Sequence, residues 1–183
     1  MSLVSISNRK NVRVSLLVND ENTILSRIRY PDRRAGLLYG RLPASRVKLV
    51  LGMASVARPP GVEYLSQSLH RILDALDAVE SSGVLILIAM MDREKRTRED
   101  RAKILYRQFR LPIDEGRVAI VAPPTNIYPM NNFYALKRRP FNNTVERMEW
   151  QAKLSLDFAF LFSYASTLVS TLVNNIFWKC HTF

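Results

Sequence analysis

The chain has 183 residues, of which 48% are hydrophobic and 23% charged, a composition that fits one domain with a core and excludes a disordered chain. Lys and Arg number 27 against 16 Asp and Glu, and the net charge of +11 suits an anionic partner such as nucleic acid, a lipid surface or a nucleotide-sugar phosphate. The single cysteine, Cys180, excludes an intrachain disulfide framework and a zinc site built from cysteines.

The first 45 residues carry the weakest pattern. The alternation of apolar and polar residues predicts one half-exposed strand, with its apolar positions at Val12, Val14, Leu16 and Val18. The basic segment from Arg27 to Arg41 is interrupted by proline and glycine, so we expect an irregular lead-in whose charges are solvated. No apolar run there reaches the length of a signal-peptide core or a membrane span, so no N-terminal anchor is visible.

A strand, a loop and a helix follow in the centre of the chain. The apolar run from Val47 to Met53 predicts a strand that is buried on both faces. Prolines and a glycine in the segment Ala54 to Gly61 end that strand. An amphipathic helix is predicted next from the spacing of Tyr64, Leu65, Leu69, Ile72, Leu73 and Leu76. Because open α/β sheets bind ligands beyond the carboxyl ends of their strands, the Ala54 to Gly61 loop is the first candidate site.

Two more apolar runs complete an α/β pattern. Val84 to Met91 and Arg117 to Ala122 predict the second and third strands, with a charged helix from Arg93 to Phe109 between them. Three strands separated by helices predict a parallel sheet with right-handed crossovers, as in half of a Rossmann-like fold. Asp92 ends the second strand, where its carboxylate could accept hydrogen bonds from a ribose or a base, or could cap the next helix. The mixed charges from Arg93 to Lys103 favour a solvated helix face over a nucleic-acid patch.

A long helix is predicted to begin near Thr144 and to run through Tyr164. Its charged and aromatic side chains alternate around the axis. The simplest interpretation is a packing helix. That interpretation does not require the Lys153 and Asp157 pair on one turn, whose charge order also opposes the helix dipole.

Separated motifs, in order, carry a resemblance to a known family. The stretch Gly52-Met53-Ala54-Ser55-Val56-Ala57-Arg58 is similar to a family pattern Gly-Ile-Pro-Thr-Val-x-Arg. The remaining matches, with gaps around Arg93 to Leu111, are Tyr64-Leu65, Leu69-His70, Leu73-Asp74, Pro123-Pro124, Tyr128-Pro129, Glu146-Arg147, Trp150, Lys153, Leu156-Asp157, Phe160-Leu161 and Tyr164-Ala165. From Leu49 to Ala165 the chain therefore resembles the alpha-1,3-mannosyl-glycoprotein 4-beta-N-acetylglucosaminyltransferases, the N-acetylglucosaminyltransferase IV family.

The resemblance implies a Golgi glycosyltransferase with a Rossmann-like nucleotide-sugar domain of the GT-A type. It implies transfer of N-acetylglucosamine from UDP-GlcNAc to a mannose of a glycoprotein N-glycan, assisted by Mn²⁺. By position, Ser55 and Arg58 would lie near the UDP and Asp92 would face the uridine. Arg147 and Lys153 would balance the diphosphate charge that builds as the sugar departs, or would support the site from behind.

Departures from the family pattern qualify this implication. Ala54 replaces the family proline, and Ala57 replaces a position that is often basic. In the family, the helix ending at the Tyr164-Ala165 motif leads into a strand with an acidic metal-binding motif, but here no carboxylate follows Asp157. We therefore expect a truncated fold without Mn²⁺ ligands and without catalytic activity in this chain. The predicted parts are the lead-in 1–45, the nucleotide-sugar part 46–165 and a divergent tail 166–183.

The tail and the charge leave alternatives open. Phe158 to Trp178 carries no charge and has about the length of a membrane span, but its Ser, Thr and Asn residues favour a buried helix. Two functions compete with a transferase: a non-catalytic binding or regulatory relative, whose partner would be a glycoprotein or another, active glycosyltransferase, and a basic nucleic-acid-binding module. The apolar setting of the aromatic residues and the lack of a recognition motif count against the second, so no nucleic-acid partner is expected.

Overall fold

The computed structural model describes residues 34, 36–59, 64–79, 83–124, 127–128 and 143–169. This part contains strands β1 (Leu37–Tyr39), β2 (Leu49–Ser55), β3 (Val84–Met90) and β4 (Val118–Val121). Its helices are α1 (Leu65–Ala78), α2 (Lys95–Gln108), α3 (Arg110–Asp114) and α4 (Val145–Ser166). The strand predicted around Val12 to Val18, and the tail from residue 170 onward, lie outside the described residues.

The strands form one sheet in the order β1-β4-β3-β2. β2 pairs with β3 and β3 pairs with β4 in parallel, whereas β1 pairs with β4 in the antiparallel direction. The predicted α/β fold with a mostly parallel sheet is therefore confirmed, and it is consistent with a Rossmann-like arrangement. The three parallel strands match the three apolar runs to within two residues at each end, because continuous apolar runs are typical of strands covered on both faces.

Both faces of the sheet are buried under helices. Successive β3 residues alternate between the two sides: Leu85, Leu87 and Ala89 belong to one core cluster, and Ile86, Ile88 and Met90 belong to the other. The first cluster includes side chains of α4, namely Phe160, Leu161, Tyr164 and Ala165. The second includes side chains of α1, α2 and α3, namely Leu69, Leu73, Ala102, Leu105 and Ile113. β3 is thus the middle one of the three parallel strands in a helix–sheet–helix sandwich.

The edge strand β1 differs from the sequence prediction. Residues 27–41 were expected to be irregular, yet Leu37 and Tyr39 pair with Val121 and Ile120 of β4. Gly40 ends this strand with φ of 98°, and a Cβ atom there would lie 2.7 Å from the carbonyl oxygen of Val118. Glycine therefore satisfies two constraints at position 40, the positive φ and the close approach of β4.

α4 begins and packs as its sequence predicts. The Thr144 hydroxyl accepts a hydrogen bond from the Arg147 backbone N–H at 3.3 Å, which makes Thr144 the N-cap. Gly52 of β2 faces the helix, and a Cβ atom there would lie in van der Waals contact with the Leu161 side chain, 3.4 Å away. After the helix, Val169 pairs in parallel with Val47 beside the start of β2. Within the described segments, no helix is both long enough and apolar enough to cross a membrane.

Candidate functional site

Polar side chains meet where the three parallel strands end. Ser55 is the last residue of β2, Asp92 follows β3, and Pro123 follows β4. The parallel register places Ser55 beside Met90 and Val121 beside Ala89, so the three ends lie at one edge of the sheet. This carboxyl edge is the position where open α/β sheets bind ligands.

Asp92 joins the ends of β2 and β3. One carboxylate oxygen accepts the backbone N–H of Ala57 at 2.6 Å, and the other accepts Nη1 of Arg101 at 2.6 Å. The second guanidinium nitrogen of Arg101 donates to the Ser55 hydroxyl at 2.7 Å, and the Met91 N–H donates to the Ser55 carbonyl at 2.7 Å. We call Ser55, Ala57, Asp92 and Arg101 the α2-side network, because α2 supplies its cation.

The cap interpretation of Asp92 is wrong. α2 begins at Lys95 with Glu94 as its N-cap residue, and both oxygens of Asp92 are engaged by Ala57 and Arg101 instead. Asp92 is only 9% exposed, so its charge is compensated inside the protein by the guanidinium and by a backbone N–H. Its observed role is to hold the loop that follows β2.

The charged helix is not uniformly solvated, which corrects the expectation for Arg93 to Lys103. Arg98 is 2% exposed and donates to the Pro123 carbonyl at 2.9 Å, and the Arg101 side chain is 20% exposed. Lys95 and Arg96, by contrast, form exposed pairs with Glu99 and Asp100. A helical wheel contains the signal for this difference, because Arg98 and Arg101 share the face of buried Ala102 and Leu105.

A second polar group lies on the opposite face of the sheet. The Lys153 ammonium donates to the Met91 carbonyl at 2.6 Å and to the Asp157 carboxylate at 2.6 Å. The Tyr128 hydroxyl donates to the other Asp157 oxygen at 2.5 Å, and Lys153 lies 5.0 Å from the centre of the Tyr128 ring. We call Met91, Tyr128, Lys153 and Asp157 the α4-side network. The Lys153 and Asp157 pair noted in the sequence is thus a real ion pair.

Burial governs the ionisation of this α4-side network. Desolvation raises the pKa of Asp157 above its ordinary value, although hydrogen bonds from Lys153 and Tyr128 oppose that shift. Burial, together with the adjacent Asp157 carboxylate, holds the pKa of Tyr128 well above its ordinary range. The Tyr128 hydroxyl therefore keeps its proton at neutral pH and remains a donor to Asp157.

The five predicted site residues occupy three settings. Ser55 and Asp92 meet in the α2-side network, and Lys153 lies in the α4-side network. Arg58 lies on the exposed loop after β2, and Arg147 lies exposed in the first turn of α4. For all five residues, the proposed contact with a ligand stays a prediction. Arg98 and Arg101 were not among the predicted site residues.

The described residues offer no set of ligands for the Mn²⁺ that the resemblance implies. No three His, Cys, Asp or Glu side chains among the described residues come together as a metal ion would require. Asp92 and Asp157 are instead neutralised by Arg101 and Lys153. We therefore assign no chemical step of this chain to a metal.

The fold and this polar edge define the class of the protein. It is an α/β protein with a Rossmann-like sheet, and buried charges gather at the carboxyl ends of its parallel strands, the edge where open α/β sheets in general bind ligands. A family model, the MGAT4 conserved region, matches residues 13–174, and the chain belongs to that family.

Curated relatives agree with this assignment and with the sequence resemblance. The chain is 31% identical over 121 residues to alpha-1,3-mannosyl-glycoprotein 4-beta-N-acetylglucosaminyltransferase B of Danio rerio, covering 66% of this chain and 21% of the relative. It is 29% identical over 120 residues to the A form of Xenopus tropicalis, covering 65% of this chain and 22% of the relative. It is 27% identical over 137 residues to the alpha-1,6-mannosyl-glycoprotein 4-beta-N-acetylglucosaminyltransferase of Gallus gallus, covering 74% and 29%.

These relatives are much longer than the matched region. The chain spans between 21% and 29% of their length. No solved structure matches the chain.

Proposed function

We propose that this chain forms the nucleotide-sugar-binding part of an N-acetylglucosaminyltransferase that acts on mannose residues of glycoprotein N-glycans. Family membership supports the proposal, as do the names of the relatives, which are N-acetylglucosaminyltransferases with mannosyl-glycoprotein acceptors. The observation that carries it is the joining of Ser55 and Asp92 at the carboxyl edge of a mostly parallel sheet.

The proposed donor is UDP-GlcNAc, bound over the loop that follows β2. Ser55 and Arg58 border the UDP, and Asp92 accepts a hydrogen bond from the uridine. A carboxylate offers about four acceptor positions, so Asp92 has capacity for a ligand beside Ala57 and Arg101.

Two cations complete the proposed site. Arg147 and Lys153 offset the charge that develops on the diphosphate as the sugar leaves. Lys153 acts from behind the strand end, because its ammonium is bound to the Met91 carbonyl and to Asp157. The family is expected to work in the Golgi with Mn²⁺, but nothing in this proposal depends on a metal held by the described residues.

Calorimetric titration of the folded chain with UDP tests the proposal. We expect saturable UDP binding that Asp92→Asn weakens about tenfold or more, because a hydrogen bond to a charged group contributes about 1.5–3 kcal/mol. Asp100→Asn is the matched control, since it removes a carboxylate from the exposed Arg96 pair on α2.

Three outcomes would contradict the proposal. No UDP binding by the folded wild-type chain would remove the donor site, and equal affinities for wild type and Asp92→Asn would leave Asp92 as a structural residue only. Steeply salt-dependent binding of RNA or DNA without UDP binding would favour a nucleic-acid-binding protein instead.

A further inference from the structure

One helix holds the ends of all three parallel strands. Arg101 of α2 contacts the Ser55 hydroxyl at the end of β2 and the Asp92 carboxylate after β3. Arg98, one turn earlier on the same helix, contacts the Pro123 carbonyl after β4. Residues three apart share a helix face, so the two guanidinium groups extend toward the carboxyl edge together.

The shape of the Arg101 side chain matters for this contact. Its two terminal nitrogens reach two different acceptors, Ser55 at 2.7 Å and Asp92 at 2.6 Å. A planar guanidinium fixes the angle between its donors, whereas a lysine ammonium is a single point on a flexible stem. A lysine at position 101 would keep the charge beside Asp92 but could not hydrogen-bond to Ser55 and Asp92 in the same fixed geometry.

The path of the loop after β2 depends on these hydrogen bonds of Arg101. Asp92 accepts the Ala57 N–H at 2.6 Å, so the position of its carboxylate sets the path of the backbone at residue 57. Ser55 and Asp92 are each 9% exposed, and Arg101 approaches them from α2. Arg101 can therefore shape the loop without touching a ligand bound over it.

We infer that Arg101 is a positioning residue, whose forked guanidinium locks Ser55 and Asp92 in the geometry that binds the nucleotide. The affinity part of this inference rests on the proposed UDP site. The loop part rests on the contacts of Arg101, Asp92 and Ala57 alone.

The substitution Arg101→Lys keeps the positive charge and removes the planar guanidinium, so it tests the geometry of the contact apart from its charge. Amide hydrogen exchange then measures how well the loop after β2 is held. We expect the Ala57 amide to exchange about tenfold faster or more in this variant, because a lysine beside Asp92 no longer fixes the carboxylate that accepts this amide relative to Ser55. The Leu87 amide, in the centre of β3, should exchange at its wild-type rate and so exclude general loosening. UDP affinity should fall about tenfold in parallel.

Arg107→Lys is the matched control, because Arg107 is exposed on the same helix and should change neither exchange nor affinity. Chemical rescue gives a second measurement. UDP affinity lost in Arg101→Ala should return partly with millimolar guanidinium and not with methylammonium, since only the planar cation provides two fixed donors.

The outcomes separate the two proposals. Unchanged Ala57 exchange in a folded Arg101→Lys protein overturns the positioning role whatever UDP does. Faster Ala57 exchange with wild-type UDP affinity overturns the link to the nucleotide. If wild-type protein fails to bind UDP while Ala57 exchange still rises in Arg101→Lys, the proposed function fails and the control of the loop by Arg101 is supported.

Discussion

The two faces of the sheet hold the end of β3 in different ways. On the α2 side, the network joins segments that are 9, 35 and 46 residues apart, and it includes a loop amide. On the α4 side, an ion pair within one helix holds the Met91 carbonyl, and its side chains are 14% and 4% exposed. One network therefore shapes a loop, and the other secures the strand itself in a drier setting.

This difference has an energetic meaning. Losing one partner of a desolvated pair leaves a buried charge, whereas a partly hydrated network can recruit water. We expect substitutions on the α4 side to reduce the stability of the whole domain. Substitutions on the α2 side should change mainly the geometry of the loop.

The largest expected effect is that of Asp157→Ala. The substitution leaves the Lys153 ammonium buried beside the Met91 carbonyl without its carboxylate, so the free energy of unfolding should fall by about 3–5 kcal/mol. Urea denaturation measures the loss. Glu99→Ala is the control, because its pair with Lys95 is exposed and should contribute about 0.5 kcal/mol or less. A loss no larger than that of the control would contradict the assignment of the α4-side network as the stabilising one.

A smaller loss is expected for Tyr128→Phe. The ring and its contact with Lys153 remain, but one Asp157 oxygen loses its donor, which costs about 1–3 kcal/mol. Tyr106→Phe is the matched control, because the Tyr106 hydroxyl donates to Asp114 at an exposed position. Equal midpoints of thermal unfolding for the two variants would mean that the Tyr128 hydrogen bond adds nothing specific.

The smallest expected effect concerns pH, because burial and the hydrogen bonds of Asp157 act on its pKa in opposite directions. When the pKa of Asp157 is higher in the folded state than in the unfolded state, the folded state binds the proton more tightly. The contribution of Asp157 to the free energy of unfolding is therefore fully present at a pH below its ordinary pKa of 3.8, and it is lost as the pH rises through the folded-state pKa. The free energy of unfolding of wild type, relative to that of Asp157→Asn, should therefore fall as the pH rises from about 3.8 through the folded-state pKa of Asp157, and it should then level off.

Urea titrations of both proteins across the acid range give this difference directly. A relative stability that rises with pH would mean that Lys153 and Tyr128 outweigh desolvation, and the α4 side would then be less dry than its burial suggests.

The parts of the fold that follow hydropathy were predictable from the sequence. Val84 to Met91 is a continuous apolar run, and it forms the interior strand β3, whose two faces are both covered. β1 could not be found in this way. It has three residues in a basic, glycine-containing segment, and its partner β4 lies beyond two other strands and three helices in the chain.

The candidate site was predictable only where its signal was local. Asp92 was singled out from its place after a strand, where it does join a polar network, and the Lys153 and Asp157 pair from its spacing of four residues. The contact of Asp92 with a ligand stays a prediction. Arg101 was missed because its partner Ser55 is 46 residues away and its neighbours carry mixed charges. Contacts between distant segments depend on the tertiary fold, which a local pattern does not encode.

The glycine that ends β1 has an evolutionary consequence. At Gly40 the positive φ disfavours a side chain, and a backbone carbonyl only 2.7 Å from where a Cβ atom would lie leaves no room for one, whereas Gly116 shares the positive φ but has its nearest neighbours 3.8 Å away or more. Asparagine can adopt such a φ where space permits. Related sequences should therefore carry asparagine in place of Gly116 in some cases and glycine at position 40 in all cases. An invariant glycine would then mark the end of β1 in sequences where hydropathy does not reveal this edge strand.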